Sequence, residues 1–217
     1  MKDIAIYGGG GFGREVACLI RMINEAQSDN AEKWNLIGFF DDVQSVGMRN
    51  EYGEVLGNIK TLNRYDKELA IAIAIGSPHA VKSVYEKIEN PKIHFPNLIS
   101  PEVLIADENN YFLGKGNIIQ KQCAISCNVH LGNFNVLNSG VGIGHDVSVG
   151  SFNSFMPVVR ISGEVKIGER NFFGVGSIVV QRLKIGYDVK LSAGSVLLTK
   201  PKDGYLYMGN PAKKTEF

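Results

Sequence analysis

The sequence is short of the residues that staple or stiffen a chain: its 217 residues include three cysteines, seven prolines and one tryptophan. Cys18, Cys123 and Cys127 are too few and too scattered for a disulfide framework, and their odd number fits a reducing compartment, where they read as small core residues. No apolar run approaches the ~18 residues of a membrane span. Charge of one sign is lacking too. With 23 Lys and Arg against 22 Asp and Glu, the formal net charge is +1, which offers no general grip on nucleic acid or an anionic membrane. Met1-Lys2-Asp3-Ile4 runs into a strand pattern without a charged-then-apolar leader, so the expected location is cytoplasmic.

What the sequence does have is a period. Every sixth residue from Leu113 is apolar: Leu113, Ile119, Ile125, Leu131, Leu137, Ile143, Val149, Phe155, Ile161, Ile167, Phe173, Val179, Ile185, Leu191 and Leu197. Four residues after these, the side chain is usually small or valine, as at Cys123, Val129, Val141, Ser177 and Ser195, and glycine often follows directly, as at Gly132, Gly144, Gly150, Gly168 and Gly186. A six-residue unit with one inward side chain is the repeat of a parallel β-helix. Three hexads close one triangular coil, so the fifteen predict five coils of eighteen residues, stacked at the strand spacing of about 4.8 Å.

The first 95 residues read differently. Asp3–Tyr7, Leu36–Phe40 and Leu69–Ile75 look like buried strands, with helices expected over about 14–26 and 78–88. The order suggests a parallel sheet covered on both faces, a reduced Rossmann-like domain. Pro91, Pro96 and Pro101 mark the crossing, so the expected domains are 1–95 and 96–217, with residues after Pro201 read as a tail.

Two places can carry chemistry. Gly8-Gly9-Gly10-Gly11-Phe12-Gly13 follows a strand and opens a helix, so its N–H groups and the helix dipole can receive phosphate. Asp41 and Asp42 end the next strand on the same carboxyl side of the sheet, where open α/β folds bind ligands. In the array, His145 is the candidate general base and Asp146 can orient its imidazole. Gly163 lies eighteen residues later, which is one coil, and is expected on the same edge. His130 is fifteen residues before His145, off that register, and reads as solvated. Cys123 and Cys127 are likewise read as off the register of His145, leaving no nucleophile for a covalent acyl-enzyme.

The glycine-rich turn, Phe39-Phe40-Asp41-Asp42 and the hexads bearing Gly144-His145-Asp146 together resemble the hexapeptide-repeat acyltransferases. The branch they resemble comprises the nucleotide-4-amino-sugar N-acetyltransferases and the sialic acid O-acetyltransferases. The likeness implies a left-handed coil, a homotrimer, and acetyl-CoA as co-substrate bound between neighbouring subunits, with no metal. It implies that Gly163 donates its N–H to the thioester carbonyl, with Val175 and Ala193 as further acetyl-CoA contacts. Gly8, Gly10, Gly11, Phe12, Gly13, Asp41, Asp42, Gly76 and Asn138 become candidate nucleotide-sugar contacts. Phe12 and Ser154 each stand where some relatives have a histidine, which leaves the acceptor open.

The expected activity is acetyl-CoA-dependent N-acetylation of a nucleotide-linked amino-deoxysugar in bacterial glycan synthesis. O-acetylation of a sialic acid or related sugar, and a non-enzymatic trimeric sugar-binding scaffold, are the alternatives. A zinc carbonic anhydrase of the same fold would need a third ligand beside His130 and His145, which the array does not offer. Sugar nucleotide transfer would need a larger N-terminal domain.

Overall fold

The computed structural model describes residues 1–28 and 31–215 and divides into two compact units, Met1–Pro101 and Glu102–Phe217. In the first, the order is β1 (Lys2–Tyr7), α1 (Gly11–Ala26), β2 (Trp34–Phe40), β3 (Arg49–Asn50), β4 (Gly53–Gly57), α2 (Ile59–Asn63), β5 (Leu69–Ile73), α3 (Pro78–Lys87), β6 (Ile93–His94) and β7 (Leu98–Ile99). The sheet order is β3-β4-β2-β1-β5-β6, parallel except for the β3–β4 pair. Ile4–Tyr7 and Leu69–Ile73 are buried without a break, as central parallel strands must be. Helix α1 turns Val16, Ala17, Leu19 and Ile20 inward. Between β2 and β5 the chain forms β3, β4 and α2, which the sequence reading did not resolve. Two-residue to five-residue pieces carry too little periodicity to register. Asn58 starts α2 by accepting the N–H groups of Lys60 and Thr61 at 3.0 and 3.2 Å.

The second unit is a left-handed parallel β-helix. Its first face stacks Leu104–Ile105, Ala124–Ile125, Gly142–Ile143, Arg160–Ile161, Ile178–Val179 and Val196–Leu197. Its second face runs from Tyr111–Leu113 to Lys184–Ile185, and its third from Ile118–Ile119 to Leu206–Met208. Pairing at an offset of eighteen holds throughout the hexad region, for example Gly142 with Arg160 and Ile143 with Ile161. Fourteen of the fifteen hexad positions are buried, Leu113 being the half-exposed one.

The prism is longer than the five coils expected. Within the second unit its first strand, at Leu104, lies nine residues before Leu113 and pairs with Ala124 across an offset of twenty rather than eighteen, so two extra residues hide that coil from a strict hexad count. The stretch read as a tail also contributes to it. Leu206–Met208 pairs in parallel with the third face, and Lys213–Thr215 folds back antiparallel on it.

An asparagine ladder runs inside one edge. Asn117, Asn135, Asn153 and Asn171 are completely buried, eighteen residues apart. Each Oδ1 accepts a main-chain N–H of the next coil at 2.9–3.0 Å: Asn135, Asn153, Asn171 and, at the end, Val189. Each Nδ2 donates to the carbonyl of a glycine, namely Gly132, Gly150, Gly168 or Gly186. This accounts for part of the glycine pattern: a methyl group on Gly150 would lie 2.5 Å from the Gly168 carbonyl oxygen.

The coils turn through left-handed residues. At one edge these are Gln122, Gly140, Val158, Gly176 and Gly194, with Val158 at φ 63°. A β-branched residue in this conformation carries about 1–2 kcal/mol of strain. Val158 is half exposed and buries little to offset it. Val158→Gly is therefore expected to raise the melting temperature by about 2 °C despite the extra freedom glycine brings to the unfolded chain; a lower melting temperature would show that the Val158 side chain makes compensating contacts.

Candidate functional site

The glycine-rich loop sits at the carboxyl ends of β1 and β5. Here the connections leave in opposite directions, which is where open α/β sheets place ligands. Gly8 has φ +113°, and a side chain there would meet the Ala74 carbonyl oxygen at 2.7 Å, so the turn requires glycine. Gly13 is equally constrained, because a Cβ would strike the carbonyl of Gly8. Gly10, Gly11 and Gly76 face open space. Among the described residues none caps the α1 N-terminus with its side chain, and no acidic residue lies in its first turn, so its N–H groups remain available to an anion. Phe12, in that first turn, is half-buried.

The two aspartates have separate tasks. Asp41 Oδ2 accepts the Gly9 N–H at 2.8 Å, and Oδ1 accepts those of Val43 and Gln44 at 2.8 and 3.0 Å. Burial pushes this carboxyl up, but the three N–H donors, Gly9, Gln44 and Val43, together hold it below its usual range. Asp41 thus ties the glycine loop to the turn after β2. Asp42 is exposed, accepting Ile59 N–H at 3.1 Å through one oxygen. It also helps burial to hold the Tyr7 hydroxyl above its ordinary range.

In the β-helix, His145 and Gly163 meet at the edge between the first and second faces, one coil apart. A methyl group on Gly163 would lie 2.4 Å from His145 Nε2 and 2.6 Å from Cε1, so only glycine lets the ring cover this stretch of main chain. The Gly163 N–H has no acceptor among the described residues. His145 Nδ1 lies 2.8 Å from Asp146 Oδ2. Asp146 is held below the usual carboxylate range, first by a hydrogen bond from Asn128 and then by His145. Asn128 was not singled out from the sequence. A search for polar residues eighteen positions apart would have found it.

The same arithmetic corrects the reading of Cys127, which lies eighteen residues before His145 and so shares its edge; its carbonyl accepts the Asp146 N–H at 3.1 Å. Nε2 lies over Gly163, in the coil after His145, whereas Cys127 belongs to the coil before it. Cys123 is buried against the Asn138 carbonyl, and burial pushes its thiol up to about 11.

Other candidates lie elsewhere. Asn138, Val175 and Ala193 sit at the edge between the third and first faces, so within one chain they are separated from His145 by the width of the first face. Asn138 is buried, with Nδ2 3.9 Å from Met156 Sδ. Val175 and Ala193 are exposed, and their N–H groups have no acceptor among the described residues. Between the two edges, an open groove of about 420 Å³ crosses the first face, lined by Leu104, Ala124, Gly142, Gly144, Arg160 and Ser162. His130 is exposed on the second face beside Phe112, and Ser154 is buried on the third. Among the described residues no three His, Cys, Asp or Glu side chains are grouped to hold a metal ion, and no helix is long and apolar enough to cross a membrane.

Comparison with known proteins follows the two units. Residues 3–88 match the family model of the PglD N-terminal domain. No curated protein matches the sequence. Among solved structures, the acetyltransferase domain of PglB from Neisseria gonorrhoeae in complex with acetyl coenzyme A is 25% identical, with a TM-score of 0.87 over 99% of both chains. PerB from Caulobacter crescentus, in complex with CoA and GDP-perosamine, is 24% identical, covering 100% of this chain and 98% of its own, with a TM-score of 0.86. WeeI from Acinetobacter baumannii is 24% identical at a TM-score of 0.86, over 99% of this chain and 100% of its own. Residues 3–88 are thus similar to the PglD N-terminal domain, and the chain as a whole, an α/β unit followed by a β-helix of six-residue repeats, shares the two-part fold of the PglB acetyltransferase domain, PerB and WeeI.

Proposed function

We propose that the protein is an acetyl-CoA-dependent N-acetyltransferase acting on the amine of a nucleotide-linked amino-deoxysugar in bacterial glycan synthesis. The observation that carries this reading is the His145 imidazole lying over the main chain of Gly163, whose N–H has no acceptor among the described residues. Acyl transfer from a thioester needs a base for the incoming nucleophile and a donor for the oxyanion, side by side. Here both sit at one edge. His145 Nε2 takes the amine proton as the nitrogen attacks the thioester carbon, and the Gly163 N–H receives the negative charge that gathers on the carbonyl oxygen. Collapse of the tetrahedral species expels the CoA thiolate. Asp146, at Nδ1, keeps the lone pair on Nε2 and stabilises the imidazolium that forms.

The glycine loop and the α1 N-terminus supply the N–H groups that would hold the diphosphate, with Asp42 left to the nucleoside and Asp41 kept for the loop itself. Val175 and Ala193 offer N–H groups at the other edge of the first face. A homotrimer, in which each copy faces its neighbour across a cleft holding acetyl-CoA, would bring two such edges together. The same reading takes the protein to be cytoplasmic.

The test is release of CoA thiol from acetyl-CoA with UDP-, GDP- and dTDP-linked amino sugars and with free sialic acid as acceptors. Turnover with at least one nucleotide-linked amine is expected. Turnover with sialic acid alone would move the activity to O-acetylation, and none with any acceptor would leave the scaffold reading.

A further inference from the structure

We propose that Asn128 is a positioning residue for this acyl transfer, holding the Asp146 carboxylate in the one orientation that fixes the His145 imidazole. The inference rests on the function proposed above and adds a third member to its machinery. Asn128 Nδ2 donates to Asp146 Oδ1 at 2.6 Å, while Asp146 Oδ2 meets His145 Nδ1 at 2.8 Å. Each carboxylate oxygen serves one neighbour, so the group cannot turn about its terminal torsion without breaking a bond. Among the described residues nothing else bonds the carboxylate. Its side chain is 47% exposed, and a carboxylate on a single tether at such a place would sample several rotamers. The second tether selects one of them.

The register accounts for the choice of residue. Pairing of Ala124 with Gly142 and Ile125 with Ile143 sets Asn128 one coil before Asp146. Both adopt left-handed backbone, at φ 53° and 58°, which asparagine and aspartate accept more readily than other side-chain-bearing residues. The same column continues with Glu164 and Arg182, which pair with each other at 3.0 Å and leave Asp146 to its own neighbours. A neutral amide also suits the task. A lysine or arginine in its place would draw the carboxylate into an ion pair and compete with the imidazole for it, whereas the amide orients it and keeps it ionised.

The test uses two substitutions that keep the turn. Asn128→Gly retains the left-handed backbone and removes the amide; Asn128→Asp keeps the shape and, when ionised, sets a like charge against Asp146 in place of the donor. Both are expected to lower kcat about tenfold with the KM for acetyl-CoA unchanged, and to have no further effect in an Asp146→Ala background. Nitrogen-15 spectra of labelled histidine, recorded without substrate, give a readout that needs no acetyl acceptor. Neutral His145 should be a single tautomer protonated at Nδ1 in the native protein and a mixture in Asn128→Gly. A silent kinetic series with a mixed tautomer would count against the acetyltransferase reading alone. An unchanged tautomer in Asn128→Gly would overturn the role of Asn128, as would a kcat loss that persists in full without Asp146.

Discussion

His145→Ala is expected to lower kcat/KM for acetyl transfer about a thousandfold, the scale on which loss of a general base is felt. The melting temperature should stay within about 1 °C, because the side chain is 55% exposed. Its main chain keeps its task, accepting the Glu164 N–H at 2.8 Å. Affinity for acetyl-CoA should hardly change, since in the proposed mechanism the imidazole acts on the acceptor amine. Two companion measurements define the mechanism. Cys127→Ser should retain the native rate within about twofold, and rapid-mixing experiments without acceptor should show no burst of CoA thiol, because covalent catalysis would produce one. A burst that vanishes in Cys127→Ser would replace direct transfer by an acyl-enzyme route. Full activity in His145→Ala would remove the imidazole from the chemistry.

Asn153→Leu is expected to cause the largest loss of stability of any single change in the β-helix. Asn153 accepts both the N–H and the side-chain Nδ2 of Asn171 at 2.9 Å, and donates to Asn135 Oδ1 and the Gly168 carbonyl at 3.0 Å. Leucine fills nearly the same space and makes none of these bonds. Two buried donors of Asn171 lose their acceptor in a dry interior, at about 1–3 kcal/mol each. The total of about 4 kcal/mol corresponds to a fall of about 10 °C in melting temperature for a chain of this size. Asn171→Leu should cost about half as much, because the ladder ends there and one buried donor, the Val189 N–H, loses its acceptor instead of two. Thermal unfolding followed by circular dichroism checks both. Equal losses, or none, would mean that the asparagines fill space and that their hydrogen bonds carry no weight.

The hexads were legible because a β-helix coil asks one thing of every sixth residue, an apolar side chain that points inward. That requirement survives in a single sequence and placed His145 and Gly163 on one edge. What was missed was written at the longer period of eighteen. Asn117, Asn135, Asn153 and Asn171 stand at that spacing, as do Cys127 with His145 and Asn128 with Asp146. A six-residue reading treats each as one more polar or small corner residue. Chain-end coils escaped for a different reason, since offsets of twenty at Leu104 and sixteen at Leu206 break the count that reveals the others. In the N-terminal unit, the continuous apolar runs of β1 and β5 announced themselves, whereas β3, β4 and β6 are too short and too mixed to do so.

By itself, the amino-acid order determined a prism of stacked coils following an α/β unit in the chain, a glycine-rich turn at a helix start, and an imidazole in register with a glycine. Periodicity and backbone sterics are local properties, and they carry that much. Only the tertiary structure decided how the polar groups share their partners: that Asp41, expected at the nucleotide sugar, accepts from the glycine loop, that the Gly163 N–H is left without an acceptor among the described residues, and that Asn128 donates to Asp146. Hydrogen bonds are directional and saturable. Which donor meets which acceptor is settled by ångström-scale placement between coils, and spacing along the chain does not supply it.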